Sequence, residues 1–288
     1  MATEEKLAFP YRGTEHEPFL WAGTDQRAAL LLHGFPGTPA EMRGLGSLLH
    51  DEGWTVYSPL LPGFGPDIAT LARRHYREWL DAAAKAYEEL RANHKTILLV
   101  GNSMGGALAI NVAQSAGVTG LILIAPFTRF AVAWQRIAWP LVSCFVSQLL
   151  PFQKADLSSP EILRLVRRMW AGADINDPTV QAMIRKIAVP TRALEQVRQV
   201  GATALRAAPS LRIPTLILQG RYDLVVTPKT TRVLKKRMAI SPQFHEFDAG
   251  HDLLETDQPP WPQVSACVKD FARSIEAKAT GGHDRPAI

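Results

Sequence analysis

Cysteine is scarce: the chain has 288 residues and two cysteines, Cys144 and Cys267. A fold held together by several disulfides is thereby excluded. A bond between these two stays open, and they are read as buried free thiols in a reducing, cytoplasmic compartment. Long apolar runs are also missing. The apolar, uncharged stretch over residues 137–153 falls short of the roughly 20 residues that span a bilayer, and Pro140 and Pro151 interrupt it. The opening Met1-Ala2-Thr3-Glu4-Glu5-Lys6 has no basic patch followed by an apolar segment, so it is read as neither a signal nor a transit peptide. Charged residues are only 20 % and there is no internal repeat or low-complexity tract, whereas hydrophobic residues reach 47 %. That balance argues against disorder and for a sizeable core. The length fits one large α/β domain or a domain with an insertion.

What is present is an alternation of apolar runs and amphipathic stretches. Ala28-Ala29-Leu30-Leu31-Leu32, residues 54–58, Leu98-Leu99-Val100, Leu121-Ile122-Leu123-Ile124 and residues 215–219 are continuous apolar or β-branched runs, as in strands buried on both faces of a parallel sheet. Short strand-like pieces precede them around residues 9–11 and 19–21, and residues 243–247 form a last strand. Between them the spacing predicts helices. Thr38-Pro39-Ala40-Glu41 announces one, with Thr at the N-cap, Pro at the first position and Glu at the third. Others cover residues 75–92, the stretch up to about 116, a start near Thr227-Pro228 and residues 262–277. The tail from Thr280 is read as disordered. The alternation breaks only over residues 127–212, which are helical, irregular and punctuated by prolines. That segment carries 12 Lys and Arg against 5 Asp and Glu, a net of +7 in a chain whose net charge is +5. The pattern is a doubly wound sheet with a helical insertion.

The stretch that organises the chemistry is Val100-Gly101-Asn102-Ser103-Met104-Gly105-Gly106. A strand ends abruptly in Gly-x-Ser-x-Gly and a helix begins at once. So tight a turn strains its central residue and lifts the Ser103 side chain above the helix N-terminus. A serine hydroxyl needs a base. Of the eight histidines, His251 is favoured because Asp248-Ala249-Gly250-His251-Asp252 follows the last strand, where loops form the ligand face of such a sheet. His33 is read as holding loop backbone and His245 as packing in its strand. His16, His50, His75, His94 and His283 are read as surface residues. The acid that orients the base is assigned to Asp223, which emerges from the strand ending in Gln219-Gly220 and gives the order Ser103, Asp223, His251. Asp248 and Asp252 are rivals by their nearness in sequence. The donors for a developing oxyanion are the backbone N–H groups of Met104 and Phe35, which leaves their side chains to line an acyl pocket. The cluster His245, Glu246, Asp248, His251 and Asp252 matches no zinc spacing, so no metal and no cofactor are expected.

His33-Gly34-Phe35-Pro36-Gly37, the Gly101–Gly105 turn, Gly220-x-x-Asp223 and Gly250-His251 together resemble the α/β-hydrolase superfamily, and bacterial carboxylesterases and monoacylglycerol lipases within it. The resemblance covers residues 28–127 and 212–271. It implies an α/β-hydrolase fold, with residues 1–126 and 213–288 as the core domain and residues 127–212 as an inserted helical cap. It departs from the family at Asn102, where His or Leu is usual, and at Phe64, where His is frequent; both bear on pocket shape. Ser103 rather than Asp at the turn argues against dehalogenase and epoxide-hydrolase relatives. The reading is a serine hydrolase cleaving carboxylic esters of short to medium acyl chains, with Phe35, Met104, Phe127 and Trp134 contacting the substrate. Monoacylglycerol lipase, thioesterase, peptidase and C–C hydrolase activities stay open, as does a catalytically silent binding protein. The apolar cap residues, among them Phe130, Ile137, Trp139, Leu141, Phe145, Leu149, Leu150 and Phe152, are read mostly as packing the cap, with an acyl tunnel or a lipid-facing patch as the functional reading. The expected partner is a small ester with an apolar acyl chain, without nucleic-acid binding or stable membrane insertion; the sequence says nothing of oligomeric state.

Overall fold

The computed structural model describes residues 11, 13–24, 26–115, 117–169 and 174–280. Of the strand-like piece predicted at residues 9–11 only Tyr11 is described, and it lies in no strand; of the tail predicted from Thr280, residues 281–288 lie outside them, while Thr280 ends the last helix. Seven strands form one sheet: β1 (Phe19–Trp21), β2 (Arg27–Leu32), β3 (Thr55–Ser58), β4 (Thr96–Asn102), β5 (Gly120–Ile124), β8 (Thr215–Gly220) and β9 (Gln243–Phe247). Their order is β1-β3-β2-β4-β5-β8-β9, with β1 antiparallel at one edge and the others parallel. The chain thus runs outward in both directions from the centre, which is the doubly wound α/β-hydrolase arrangement. Helices α1 (Arg43–Asp51) and α9 (Trp261–Thr280) cover one face; α2 (Tyr76–Arg91), α3 (Met104–Ser115) and α8 (Pro228–Arg237) cover the other.

The continuous apolar runs are explained by this double cover. Along β2, Ala28, Leu30 and Leu32 pack on the α2–α3 face while Ala29 and Leu31 pack on the α1–α9 face. β4 and β5 divide the same way, with Leu99, Leu121 and Leu123 on one side and Leu98, Val100, Ile122 and Ile124 on the other. A strand with two buried faces cannot alternate with polar residues.

Between β5 and β8 lie α4 (Ala133–Phe145), β6 (Gln148–Leu149), α5 (Pro160–Met169), α6 (Pro178–Arg185), β7 (Val189–Pro190) and α7 (Thr191–Ala207). These elements pack in two different ways. Leu157, Val166, Val180 and Ile184 form a small core of their own. By contrast, Ala193, Val197, Val200, Ala204 and Ala207 of α7 belong to the main core. Gly201 allows this, since a Cβ there would stand 2.9 Å from the Thr128 backbone. Helix α4 differs again: Ile137, Leu141 and Phe145, four residues apart on one stripe, are exposed. Val146, Leu149 and Leu150 extend that exposed strip, so these residues do not pack the segment onto the sheet. Trp139 is buried and meets Phe130 at 5.3 Å between rings. Both cysteines are free; Cys144 is exposed rather than buried, because it sits on the outer side of α4, and Cys267 is half-buried. Among the described residues no helix is long and apolar enough to cross a membrane.

The tightest crossing is where β4 turns into α3. A Cβ on Gly105 would fall 2.0 Å from the Leu32 carbonyl oxygen, and one on Gly101 would fall 2.3 Å from the Gly105 oxygen. Backbone, not a movable side chain, occupies that space. Gly105→Ala is therefore expected to cost about 3 kcal/mol or more, above the usual range for overpacking. Urea unfolding at unchanged m-value measures this, and a loss below about 1 kcal/mol would show that the two segments can move apart.

Candidate active site

Ser103 follows β4 with φ +51°, left-handed backbone that a residue with a Cβ adopts rarely and only under constraint. The constraint is visible. The Ser103 N–H donates to the Ile124 carbonyl at 2.9 Å, and the Ser103 carbonyl accepts from Gly106 and Phe127, each at 3.0 Å. The residue is 7 % exposed and lines a cavity of about 860 Å³. Beneath it, α3 begins at Met104, whose N–H donates to nothing among the described residues.

The loop after β2 comes to the same place. His33 is fully buried; its Nδ1–H donates to the Gly34 carbonyl at 3.0 Å and its Nε2 accepts the Leu61 N–H at 3.1 Å. A backbone N–H can only donate, so the tautomer is set. Burial pushes the imidazole pKa down, against Glu41 and the Gly34 bond, and keeps the ring neutral. His33 thus holds the loop backbone. Phe64 is buried against His33 at 5.1 Å and Phe35 at 5.9 Å between rings, so it shapes the wall behind Phe35. The Phe35 N–H also makes no hydrogen bond among the described residues.

Asp223 sits in the turn between β8 and α8, with its side chain wholly buried. Its Oδ1 accepts the Val225 and Val226 N–H groups, both at 2.8 Å, and its Oδ2 accepts His251 Nδ1–H at 2.7 Å. Gln219, fixed by the Thr231 hydroxyl at 2.6 Å, stands behind at 3.4 Å. With its proton on Nδ1, His251 keeps Nε2 as a base, and the ring lines the cavity with Ser103. The two loops meet because Gly220 has no side chain: a Cβ there would fall 1.9 Å from the Gly250 oxygen.

The rivals are placed differently. Asp248 is exposed and paired with Arg221. Asp252 lines the cavity, but the carboxylate that accepts the His251 Nδ1–H is that of Asp223. Among the described residues, no group of three His, Cys, Asp or Glu is gathered as a metal site would require.

A family model of the alpha/beta hydrolase family matches residues 29–261. The chain belongs to the alpha/beta hydrolase family. A thermostable monoacylglycerol lipase from Bacillus sp. (strain H-257) is 27 % identical over 219 residues, 76 % of this chain and 78 % of that protein. A carboxylesterase from Bacillus subtilis (strain 168) is 22 % identical over 220 residues, 76 % of this chain and 80 % of that protein. The solved structure of a Paleococcus ferrophilus monoacylglycerol lipase superposes with a TM-score of 0.68 at 19 % identity, covering 90 % of this chain and 98 % of that one, which speaks to the fold.

In this alpha/beta hydrolase the expected pocket side chains divide. Phe35 lines the cavity. Met104 does not: its side chain is fully buried in the core below α3. Phe127 packs in the same core against Gly201 and Phe130, because its N–H bond to Ser103 turns the chain inward. The Trp134 side chain lies outside the described residues. The wall is completed by Phe152, one of the apolar residues for which an acyl tunnel was the functional reading, and by residues not singled out for the pocket, among them Tyr11, His16, Ile162, Met169, Leu224 and Val225. His16, expected at the surface, is 2 % exposed and bonded to Thr38 Oγ1 at 2.8 Å. Glu41 also lines the cavity. Its expected helix-capping role is only half met. Thr38 caps a short 3₁₀ turn (Pro39–Met42), accepting the Ala40 N–H, but the Glu41 carboxylate turns instead to Gly34 and Asn102. Capping spacing in the sequence masked that contact.

Burial disfavours the charged His251 ring, but the bond to Asp223 and its charge, with smaller help from Asp252 and Glu41, outweigh burial and raise its pKa above the ordinary value. A raised folded-state pKa stabilises the fold fully below about pH 6.5, the unfolded value, and that contribution is lost as pH rises through the folded value. NMR titration of the ring should place its midpoint above about 6.5. In Asp223→Asn burial is left to dominate, and the midpoint should fall below that value; an unmoved midpoint would mean that another carboxylate governs the ring.

Proposed function

We propose that this protein is a serine carboxylic-ester hydrolase acting through an acyl-enzyme on short- to medium-chain acyl esters, with a monoacylglycerol lipase as the neighbouring reading. One observation carries it: Ser103, held on left-handed backbone, shares a cavity with His251, whose Nδ1 is bonded to buried Asp223. The relatives named carboxylesterase and monoacylglycerol lipase support ester hydrolysis. Ser103 Oγ attacks the ester carbonyl as His251 Nε2 takes its proton. Asp223 holds the tautomer and offsets the charge on the imidazolium. The Phe35 and Met104 N–H groups, which have no acceptor among the described residues, receive the oxyanion. His251 then gives the proton to the departing alcohol, and water repeats the sequence on the acyl-enzyme. No metal or cofactor has a part in this reading.

Residues 127–212 act as the cap. Phe152, Ile162 and Met169 from that segment face the cavity, and α7 fastens it to the core through Val197, Val200 and Ala204. The partner is a small ester, not nucleic acid, and no stable membrane insertion is involved.

Ser103→Ala should lower kcat by about 10⁴-fold or more, and Asp223→Asn by about 10³- to 10⁴-fold, while Asp248→Asn changes it only a few-fold. Stoichiometric labelling by an active-site phosphonate that mapped to another serine would overturn the assignment, as would an Asp248→Asn loss equal to that of Asp223→Asn. Across p-nitrophenyl esters of rising chain length, kcat/KM should climb by up to about four-fold per added methylene, because each buried CH₂ contributes about 0.8 kcal/mol. It should peak at a short or medium chain, with no jump at the solubility limit. Equal activity on acetate and octanoate esters would remove the acyl pocket from this picture.

A further inference from the structure

Glu41 sits on the short turn after the His33–Gly37 loop, and a single oxygen of its carboxylate, Oε1, accepts two hydrogen bonds. One comes from the Gly34 N–H and the other from Asn102 Nδ2, the latter at 3.0 Å. Gly34 immediately precedes Phe35, and Asn102 immediately precedes Ser103 and then Met104. The two donors therefore belong to the two chain segments that carry the proposed oxyanion N–H groups. Those segments leave different strands, β2 and β4, and no bond of the sheet ladder reaches past Leu32 and Gly101 to join them.

The contact is close to the reacting atoms. The point where a Cβ on Gly34 would stand is 3.2 Å from Glu41 Oε1 and 3.2 Å from Ser103 Cβ, so at most twice that distance separates the two. The turn bearing Glu41 is itself anchored. Met42 is fully buried on the α1–α9 face, and the Arg43 guanidinium donates to the Glu15 carbonyl at 2.7 Å and the Thr14 carbonyl at 2.9 Å. Bonds to a charged acceptor are stronger and shorter than neutral ones, and a rigid acceptor fixes both donors at once.

We propose that Glu41 is a positioning residue for the oxyanion site: through Oε1 it ties the Gly34–Phe35 and Asn102–Met104 segments together and sets the separation of the Phe35 and Met104 N–H groups. This rests on the serine-hydrolase reading above. It also gives Asn102 a function. A side-chain amide at that position supplies an N–H donor that cannot lose its proton, so the tie persists across the working pH range.

A donor displaced by about 1 Å can cost about 10²-fold in rate, and a lost oxyanion donor about 10²- to 10³-fold. Glu41→Ala should accordingly lower kcat on a p-nitrophenyl butyrate substrate by about 10²-fold with KM within about three-fold, and should weaken a boronic-acid transition-state mimic in parallel with kcat/KM. Glu41→Gln keeps an oxygen acceptor in place and should restore most of kcat at its optimum. It should still shift the acid limb of kcat/KM to lower pH, because one of the carboxylates facing His251 is gone while Asp223 and Asp252 stay, with Arg164 also lining the cavity. Asn102→Ala cuts one arm and should cost less than Glu41→Ala, and the double variant should be no worse than Glu41→Ala alone.

Three results would overturn the proposal: wild-type kcat in Glu41→Ala, a loss confined to KM, or a Glu41→Gln variant as impaired as Glu41→Ala. If Glu41→Ala does not fold, the Glu41→Gln and Asn102→Ala measurements decide by the same criteria. Ser103→Ala run alongside separates the two levels. An inactive Ser103→Ala with an unimpaired Glu41→Ala removes only the tie, whereas an active Ser103→Ala removes the serine-hydrolase reading and the tie with it.

Discussion

The structure depends on how closely backbone can approach backbone where β4 becomes α3. Gly105 lies against the Leu32 carbonyl and Gly101 against Gly105, so strand, turn and helix are packed with no side chain between them. Ser103, at the middle of that turn, is held at positive φ by bonds to Ile124, Gly106 and Phe127. The bond to Ile124 ties the turn to β5, and the bond from Phe127 fixes where the chain leaves the sheet for the helical segment. One local crossing thus sets the place of the proposed nucleophile and the departure of the segment that covers it.

The proposed acid–base half of the site is built on a second close contact, Gly220 against Gly250. It brings the loops after β8 and β9 together, so that Asp223 and His251, far apart in sequence, share a 2.7 Å bond. Asp223 is rigid because two backbone N–H groups already occupy its other oxygen. A carboxylate so fixed orients the ring without reorganising as charge develops. The same economy of backbone holds on the β2 side, where His33 is clamped between Gly34 and Leu61.

The helical segment between β5 and β8 has two loyalties. Its last helix, α7, is part of the main core, whereas Leu157, Val166, Val180 and Ile184 make a small independent cluster. Helix α4 exposes Ile137, Leu141 and Phe145 and offers little to either. Among the described residues, the cavity wall that this segment contributes, Phe152, Ile162 and Met169, comes from the small cluster and its surroundings.

The sequence by itself determined the strands and the sheet class, and it was enough to propose Ser103, Asp223 and His251 in that order. Five apolar runs without polar alternation require burial on both faces, and glycines flanking Ser103 and ending β8 mark places where only backbone fits; these are local signals, readable residue by residue. That Asp223 and His251 each follow a strand end was legible for the same reason. Only the tertiary structure decided which side chains face the cavity. Met104 and Phe127 point into the core because helix α3 and the Phe127 N–H bond turn them inward, and His16 is buried because a distant Thr38 receives it. Glu41 was legible as a capping residue from its spacing to Thr38, but its actual partners, Gly34 and Asn102, are set by the meeting of β2 and β4. Spacing along a chain fixes periodicity and turns; which polar atom a side chain finally reaches is fixed by which strands lie side by side.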